Sequence, residues 1–306
     1  MKQSTVFLIF IFVFLWNSGF IGGEYGLPYA GPFTLLFWRY GVLAGVLGLY
    51  LVLRRRLNWP GWSTVAPTLL VGCLAHGVWL SCVLISLQYG VPAGIIALIV
   101  ALQPLATGAL SGKVVGEYTP LRRWIGLTVG FLGVIITVGA RIEFKDTESV
   151  FAYLIPFGSA MAMTAASLIQ RKLEVSNRLR RLPMNNTLFY QALATFAVLL
   201  IPAVWFENLS TRWEPEFIWT MIWLIFAVSL GAYVAMWHLV ARMTATRVAS
   251  LFYLGPPVTM LMAWVTFGDT VRIWDLAGLI VVAVGVFLGQ SGVKREPGNQ
   301  ADGLRS

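Results

Sequence analysis

The chain has 306 residues, 58% of them hydrophobic and 11% charged, with 13 Trp, 19 Phe, 30 Gly and a net charge of +9. Soluble domains are roughly half apolar and a quarter charged, so this composition excludes a soluble globular protein and describes a polytopic helical membrane protein. The positive charge does not indicate nucleic acid, because the basic residues sit in short connectors between apolar runs and form no face of a folded domain.

A membrane-spanning helix needs about 20 mostly apolar residues. Ten stretches qualify in chain order: 4–22, 33–53, 64–86, 91–111, 121–140, 150–170, 187–206, 217–240, 246–266 and 272–290. The first follows Lys2 and looks superficially like a signal peptide, but its apolar run to Gly22 is long for one and no A-x-A site follows, so it reads as a retained helix. It carries Trp16 and Asn17 toward its far end. The second holds Arg39, about 9 Å inside its outer end and therefore shallow enough to snorkel. Gly41 and Gly45 on the same helix have the spacing of a close helix contact.

In the third stretch Cys73 and Cys82 stand nine residues apart, about 13 Å along a helix and on opposite sides, too far for a disulfide with its limit of about 7 Å. His76 lies near the middle of this stretch and is the group there that titrates near neutral pH; His238 sits close to the end of the eighth. Trp79 shares a face with His76 at i, i+3. Two readings of His76 stand side by side: a functional polar handle beside an aromatic wall, and a packing histidine bonded to a neighbouring helix.

The fourth stretch begins a phrase, ALIVALQPLATGALSGKVVGE (97–117), that recurs in the ninth as ASLFYLGPPVTMLMAWVTFGD (249–269), at an offset of 152. The same offset pairs Pro104 with Pro256, Glu117 with Asp269, Gly126 with Gly278, Gly133 with Gly285, and LLFWR (35–39) with TLFYQ (187–191). Two halves of five spans follow, and because five is odd the second half enters the membrane upside down, an inverted repeat of the kind common in secondary transporters. Pro104, Pro256 and Pro257 cannot donate to the preceding turn, which leaves carbonyls free at corresponding depths. Spans four and nine are thus expected to be paired bent helices flanking a central site. Gln103, beside Pro104, and Tyr233, in span eight, join Trp16, Asn17, His76 and Trp79 as candidate residues of a mixed aromatic and polar substrate pathway. Gln191, the repeat mate of Arg39, makes with it a paired gating or structural position. Gly126, Gly130, Gly133 and Gly285 favour close packing, either of the two halves or of a second subunit in a homodimer.

Of the 22 Lys and Arg residues, 17 fall on the side of the termini and four (Arg141, Lys145, Arg212, Arg272) on the other, so the positive-inside rule makes both termini cytoplasmic.

WNSGFIGGEYGLPYAGPFTLLFWRY (16–40), HGVWL (76–80), GVPAGIIALIVALQPL (90–105) and VASLFYLGPPVTMLMAWVTFGD (248–269) resemble the drug/metabolite transporter superfamily, in the branch made of two EamA repeats. The resemblance implies a first repeat in 1–142, a second in 143–292 and a disordered cytoplasmic tail in 293–306. It also implies a bacterial inner-membrane, secondary-active exporter of a small metabolite such as an amino acid, working by alternating access. Two positions depart from that pattern: Glu24 stands where a basic residue is expected, and Gly31 where an acid is usual after PYA, so an external charged pair is rewired. The alternative reading, a membrane enzyme acting on lipid, lacks its chemistry, since no H-E-x-x-H or paired-acid motif occurs. Nothing resembles a channel filter, and no G-x-x-x-x-G-K-[ST] motif is present to use ATP. The expected partners are a small-molecule substrate, membrane lipid and a proton as candidate coupling ion; no cofactor, metal or nucleic acid is expected.

Overall fold

The computed structural model describes residues 3–116, 118–142, 147–175, 182–243 and 245–290. Lys2, Glu117, Lys145 and the tail 293–306, all named above, lie outside the described residues, as do Arg178, Arg180 and Arg181 among the 17 basic residues counted on the side of the termini.

Among the described residues ten helical segments follow one another: α1 (Gln3–Gly26), α2 (Pro32–Leu53), α3 (Trp62–Gln88), α4 (Ala93–Val115), α5 (Leu121–Gly139), α6 (Thr147–Val175), α7 (Met184–Glu207), α8 (Pro215–Val240), α9 (Ala245–Leu251, a 3-10 turn Phe252–Leu254, then Gly255–Phe267) and α10 (Ile273–Gln290). The first eight are long and apolar enough to cross a membrane, and α9 and α10 contain shorter apolar helices. Among the described residues there is no strand, only an isolated bridge between Ala30 and Thr211. Large apolar side chains cover the outside: Leu53 is 73% exposed and Trp205 79%. Water would drive such a surface to aggregate, whereas lipid solvates it.

Contacts between helices recur under the offset of 152. In α5 and α10, which run antiparallel, a Cβ on Gly126 would lie 2.5 Å from the Gly285 carbonyl oxygen, and one on Gly133 would lie 2.7 Å from that of Gly278. These two contacts map onto each other when the halves are exchanged, since Gly126 pairs with Gly278 and Gly133 with Gly285. The glycines bring the two backbones into contact inside one chain, and this removes them as a basis for a dimer interface. In α2 and α7, also antiparallel, Phe37 stacks on Phe196 at 4.5 Å and Gly48 faces Phe189.

The ends of α2 and α7 latch one another. At the start of α7 the Asn186 side chain accepts from Asn58 N (2.9 Å) and donates to Arg56 O (3.1 Å), while Tyr190 donates to Asn58 O (2.7 Å), holding the chain that follows α2. At the start of α2 the Glu207 carboxylate, from the end of α7, accepts from Phe33 N (3.0 Å) and Thr34 N (2.6 Å), and Trp38 donates to Thr211 (3.0 Å). Thr34 and Trp38 are the repeat mates of Asn186 and Tyr190. A carboxylate at a helix N-terminus satisfies free N–H groups and meets the positive end of the dipole.

Two of the span pairs also break at corresponding positions. Residues Ala101 and Leu102 interrupt α4 just before Pro104, and the 3-10 turn of α9 just precedes Pro256 and Pro257. A six-residue π-helical stretch, Cys73–Val78, interrupts α3, and its counterpart, Trp223–Gly231, interrupts α8. Such insertions widen the helix and cluster at functional sites.

Candidate functional site

The two π-helical stretches border a cavity lined by α1, α2, α3 and α8, with Leu188 from α7. Its walls are mostly apolar, including Phe20, Leu36, Leu43 and Val83, and its polar groups are few: Arg39, Tyr40, His76, Trp79, Ser229 and Tyr233. A largely apolar concavity with a few convergent polar groups between helices is the usual form of a small-molecule site.

Four of the six candidate pathway residues meet here. Trp16 and Trp79 have ring centroids 6.3 Å apart, Trp16 and Tyr233 5.9 Å, and His76 and Tyr233 6.2 Å. His76 lies in the α3 π-helical stretch, with Nε2 3.3 Å from Gln191 Oε1 of α7. The widened turn begins at Gly72, whose carbonyl accepts from Thr195 of α7 at 3.1 Å. His76 therefore both borders the cavity and bonds a neighbouring helix.

Asn17 and Gln103 are elsewhere. Asn17 donates to Val13 O (2.7 Å) and accepts from Thr259 of α9 (3.1 Å), and Gln103 donates to Thr107 (3.0 Å) and to Ser167 of α6 (3.2 Å). Thr107 is the repeat mate of Thr259, and Gln103 of Gly255, which packs on Asn17 Oδ1. Each broken helix is thus pinned by a polar contact to the first helix of the other half. Pro104, Pro256 and Pro257 mark the breaks but do not line the cavity; α9 approaches it through Phe252, whose ring meets Trp16 edge-on at 4.9 Å.

Arg39 does not snorkel. It is only 6% exposed and forms part of the cavity wall. Its Nε and Nη2 donate to Ser229 Oγ in the α8 π-helical stretch at 3.1 and 2.9 Å, and its guanidinium lies 5.7 Å from the Tyr40 ring centroid. Helix α8 reaches across its approach to the surface, a contact between residues 190 apart in sequence. Arg39 and Gln191 are nevertheless paired, because each docks on the π-helical stretch of the opposite half: Arg39 on Ser229, Gln191 on His76. Ser229, the mate of Gly77, had no signal in the sequence beyond that alignment.

The two departures also find their places. The Gly31 Cα faces the Glu207 carboxylate closely enough that a Cβ there would fall within 2.6 Å of Glu207 Oε2. Glu207 therefore supplies from α7 the acid missing at position 31. Glu24 Oε2 and Asp269 Oδ2 are buried without hydrogen-bond partners among the described residues. Burial pushes the Asp269 carboxyl above its ordinary range, with Arg141 pulling the other way.

Replacing Glu207 by alanine is expected to lower stability in detergent by about 2 kcal/mol, because two N–H groups lose a charged acceptor. Adding Gly31→Asp to that variant should restore part of the loss, whereas Gly31→Asp alone should destabilise by crowding Glu207. Thermal unfolding of the three variants reads this out, and a Gly31→Asp change that is harmless alone would contradict the placement.

The description EamA-like transporter family matches residues 3–139 and again 150–289. The chain belongs to this family. It is 27% identical over 290 residues to an uncharacterized transporter, YvbV, of Bacillus subtilis strain 168, spanning 94% of this chain and 92% of that protein. It is 22% identical over 305 residues to a protein of Salmonella typhimurium strain LT2 named a probable amino-acid metabolite efflux pump, spanning 96% and 97%. It is 24% identical over 280 residues to an uncharacterized inner membrane transporter, YedA, of Escherichia coli strain K12, spanning 90% and 88%. A solved crystal structure that is 19% identical superimposes with a TM-score of 0.62 over 95% of this chain and 97% of that one, which shows the shared fold. This EamA-like protein is an integral membrane transporter and not an enzyme.

Proposed function

We propose that this EamA-like protein is a secondary-active exporter of a small organic solute, with residues 1–142 and 143–292 as two halves that move about the cavity in alternating access. The observation that carries the reading is the recurrence of each helix interruption in both halves, with the cavity between the two π-helical stretches. Paired irregular helices at a repeat interface give two equivalent sets of contacts, and alternating access exchanges them. The excess of basic residues beside the termini supports a cytoplasmic placement of both ends. The relative named an amino-acid metabolite efflux pump supports export of a small metabolite. Proton coupling, the finer part of this reading, rests on His76 in the cavity wall, bonded to Gln191 of the opposite half.

The test uses Leu80, which lines the cavity and is partly exposed. In a background with both free cysteines, Cys73 and Cys82, replaced by alanine, Leu80→Cys is expected to react with a membrane-impermeant maleimide in right-side-out and in inside-out vesicles. Reaction from one face alone would contradict alternating access through this cavity.

A further inference from the structure

We infer that the cavity takes its solute as a small organic monoanion, a carboxylate on an apolar body, held by Arg39. The inference rests on the transporter reading above and names the substrate class of that same cavity.

The donors and acceptors in the wall are unequal. Arg39 is buried, and among the described residues no carboxylate lines the cavity with it. Its protein hydrogen bonds go to the single hydroxyl of Ser229, while a guanidinium carries five donors in a fork that matches a carboxylate. Trp79, in the same wall, has a buried indole N–H with no acceptor among the described residues, and an indole can only donate. His76 already faces Gln191. The cavity thus offers a buried positive charge and unused donors, and a ligand must bring the acceptors.

Charge separates the candidate solutes further. A buried ion without a partner is costly, so an incoming carboxylate gains both a charge-assisted bond and the relief of that cost. A cation would meet uncompensated repulsion from Arg39. The Tyr40 face, the obvious aromatic seat for a cation, lies beside the guanidinium already. An amino acid would bring an ammonium group for which the wall has no acid. A phosphate would bring a second negative charge for which it has no second cation. The remaining wall, Trp16, Phe20, Leu36, Leu80 and Val83, suits an apolar or aromatic body.

The experiment compares four probes that share one body: 3-phenylpropanoate, 3-phenylpropan-1-ol, 3-phenylpropylamine and phenylalanine. Stabilisation of the purified full-length protein against thermal unfolding in detergent is measured over a concentration series, for the wild type, Arg39→Gln and Arg39→Lys. The expected result is that the acid stabilises the wild type, with the alcohol weaker and the amine and amino acid weaker still. Its apparent affinity should fall about ten- to a hundredfold in Arg39→Gln and less in Arg39→Lys. If Arg39→Gln does not fold, the ranking of the four probes on the wild type decides. Equal or tighter binding of the amine or of phenylalanine overturns the inference, as does undiminished binding of the acid by a folded Arg39→Gln. Binding of none of the four also overturns it, while labelling of Leu80→Cys from both faces would leave the transporter reading standing.

Discussion

Gly285→Val is expected to prevent recovery of folded protein from the membrane. A Cβ at position 285 would lie 2.5 Å from Gly130 N and 2.6 Å from Gly126 O, both backbone atoms of α5 that cannot rotate aside. The helices would have to separate along a crossing that also includes Gly133 and Gly278, losing the close packing that drives association in lipid. Ordinary overpacking costs about 1–3 kcal/mol, and a clash of two backbones should exceed the upper value. Gly45→Val is the control. Nothing lies within 4 Å of a Cβ there, so its effect should stay within about 0.5 kcal/mol. Size-exclusion profiles and unfolding temperatures of the two variants measure the contrast, and a monodisperse, stable Gly285→Val protein would refute the α5–α10 contact.

Asp275→Ala should be nearly as damaging. Asp275 is 1% exposed at the start of α10, where it accepts from Arg141 Nε at 2.9 Å, from Arg141 Nη2, and from Arg272 N at 2.7 Å. The alanine variant leaves Arg141 as a buried charge without its carboxylate, a change that costs about 3–5 kcal/mol. Most of that cost belongs to the stranded partner, so replacing both residues, as Arg141→Met with Asp275→Leu, should recover much of the loss. A thermodynamic cycle over the two single variants and the double variant tests this, and additive losses would mean that the ion pair is not the cause.

The spans were legible because lipid imposes a length and an apolar composition on each helix, and all ten stretches have a helix at their place. The breaks in α4 and α9 were legible because proline removes a donor wherever it stands. The π-helical stretches were not: CLAHGV and WLIFAVSLG contain no residue type that demands a wider turn, and their contacts with α7 and α2 are made by distant parts of the chain. Arg39 was misplaced for a related reason. Its depth along α2 is consistent with snorkelling, and only the arrival of Ser229 on α8 encloses it. Asn17 and Gln103 illustrate the converse, since a polar residue beside a bend resembles a ligand group until its partner in the other half is known.

The two sets of walls related by the offset of 152 are not chemically alike. Arg39 has Gln191 as its counterpart, Trp79 has Gly231, Trp16 has Leu168, His76 has Val228 and Tyr233 has Ser81. If the halves trade roles, the compartment facing the other side has Gln191 in place of Arg39, Arg171 and Lys172 in place of Gly19 and Phe20, and fewer rings, although its backbone is an inverted copy of the present one. A ligand can bias two conformers only by the difference in its affinity for them. A solute is therefore gripped by different side chains in the two arrangements, so that inverted architecture with unlike walls gives the two sides of the membrane unequal hold on the same cargo.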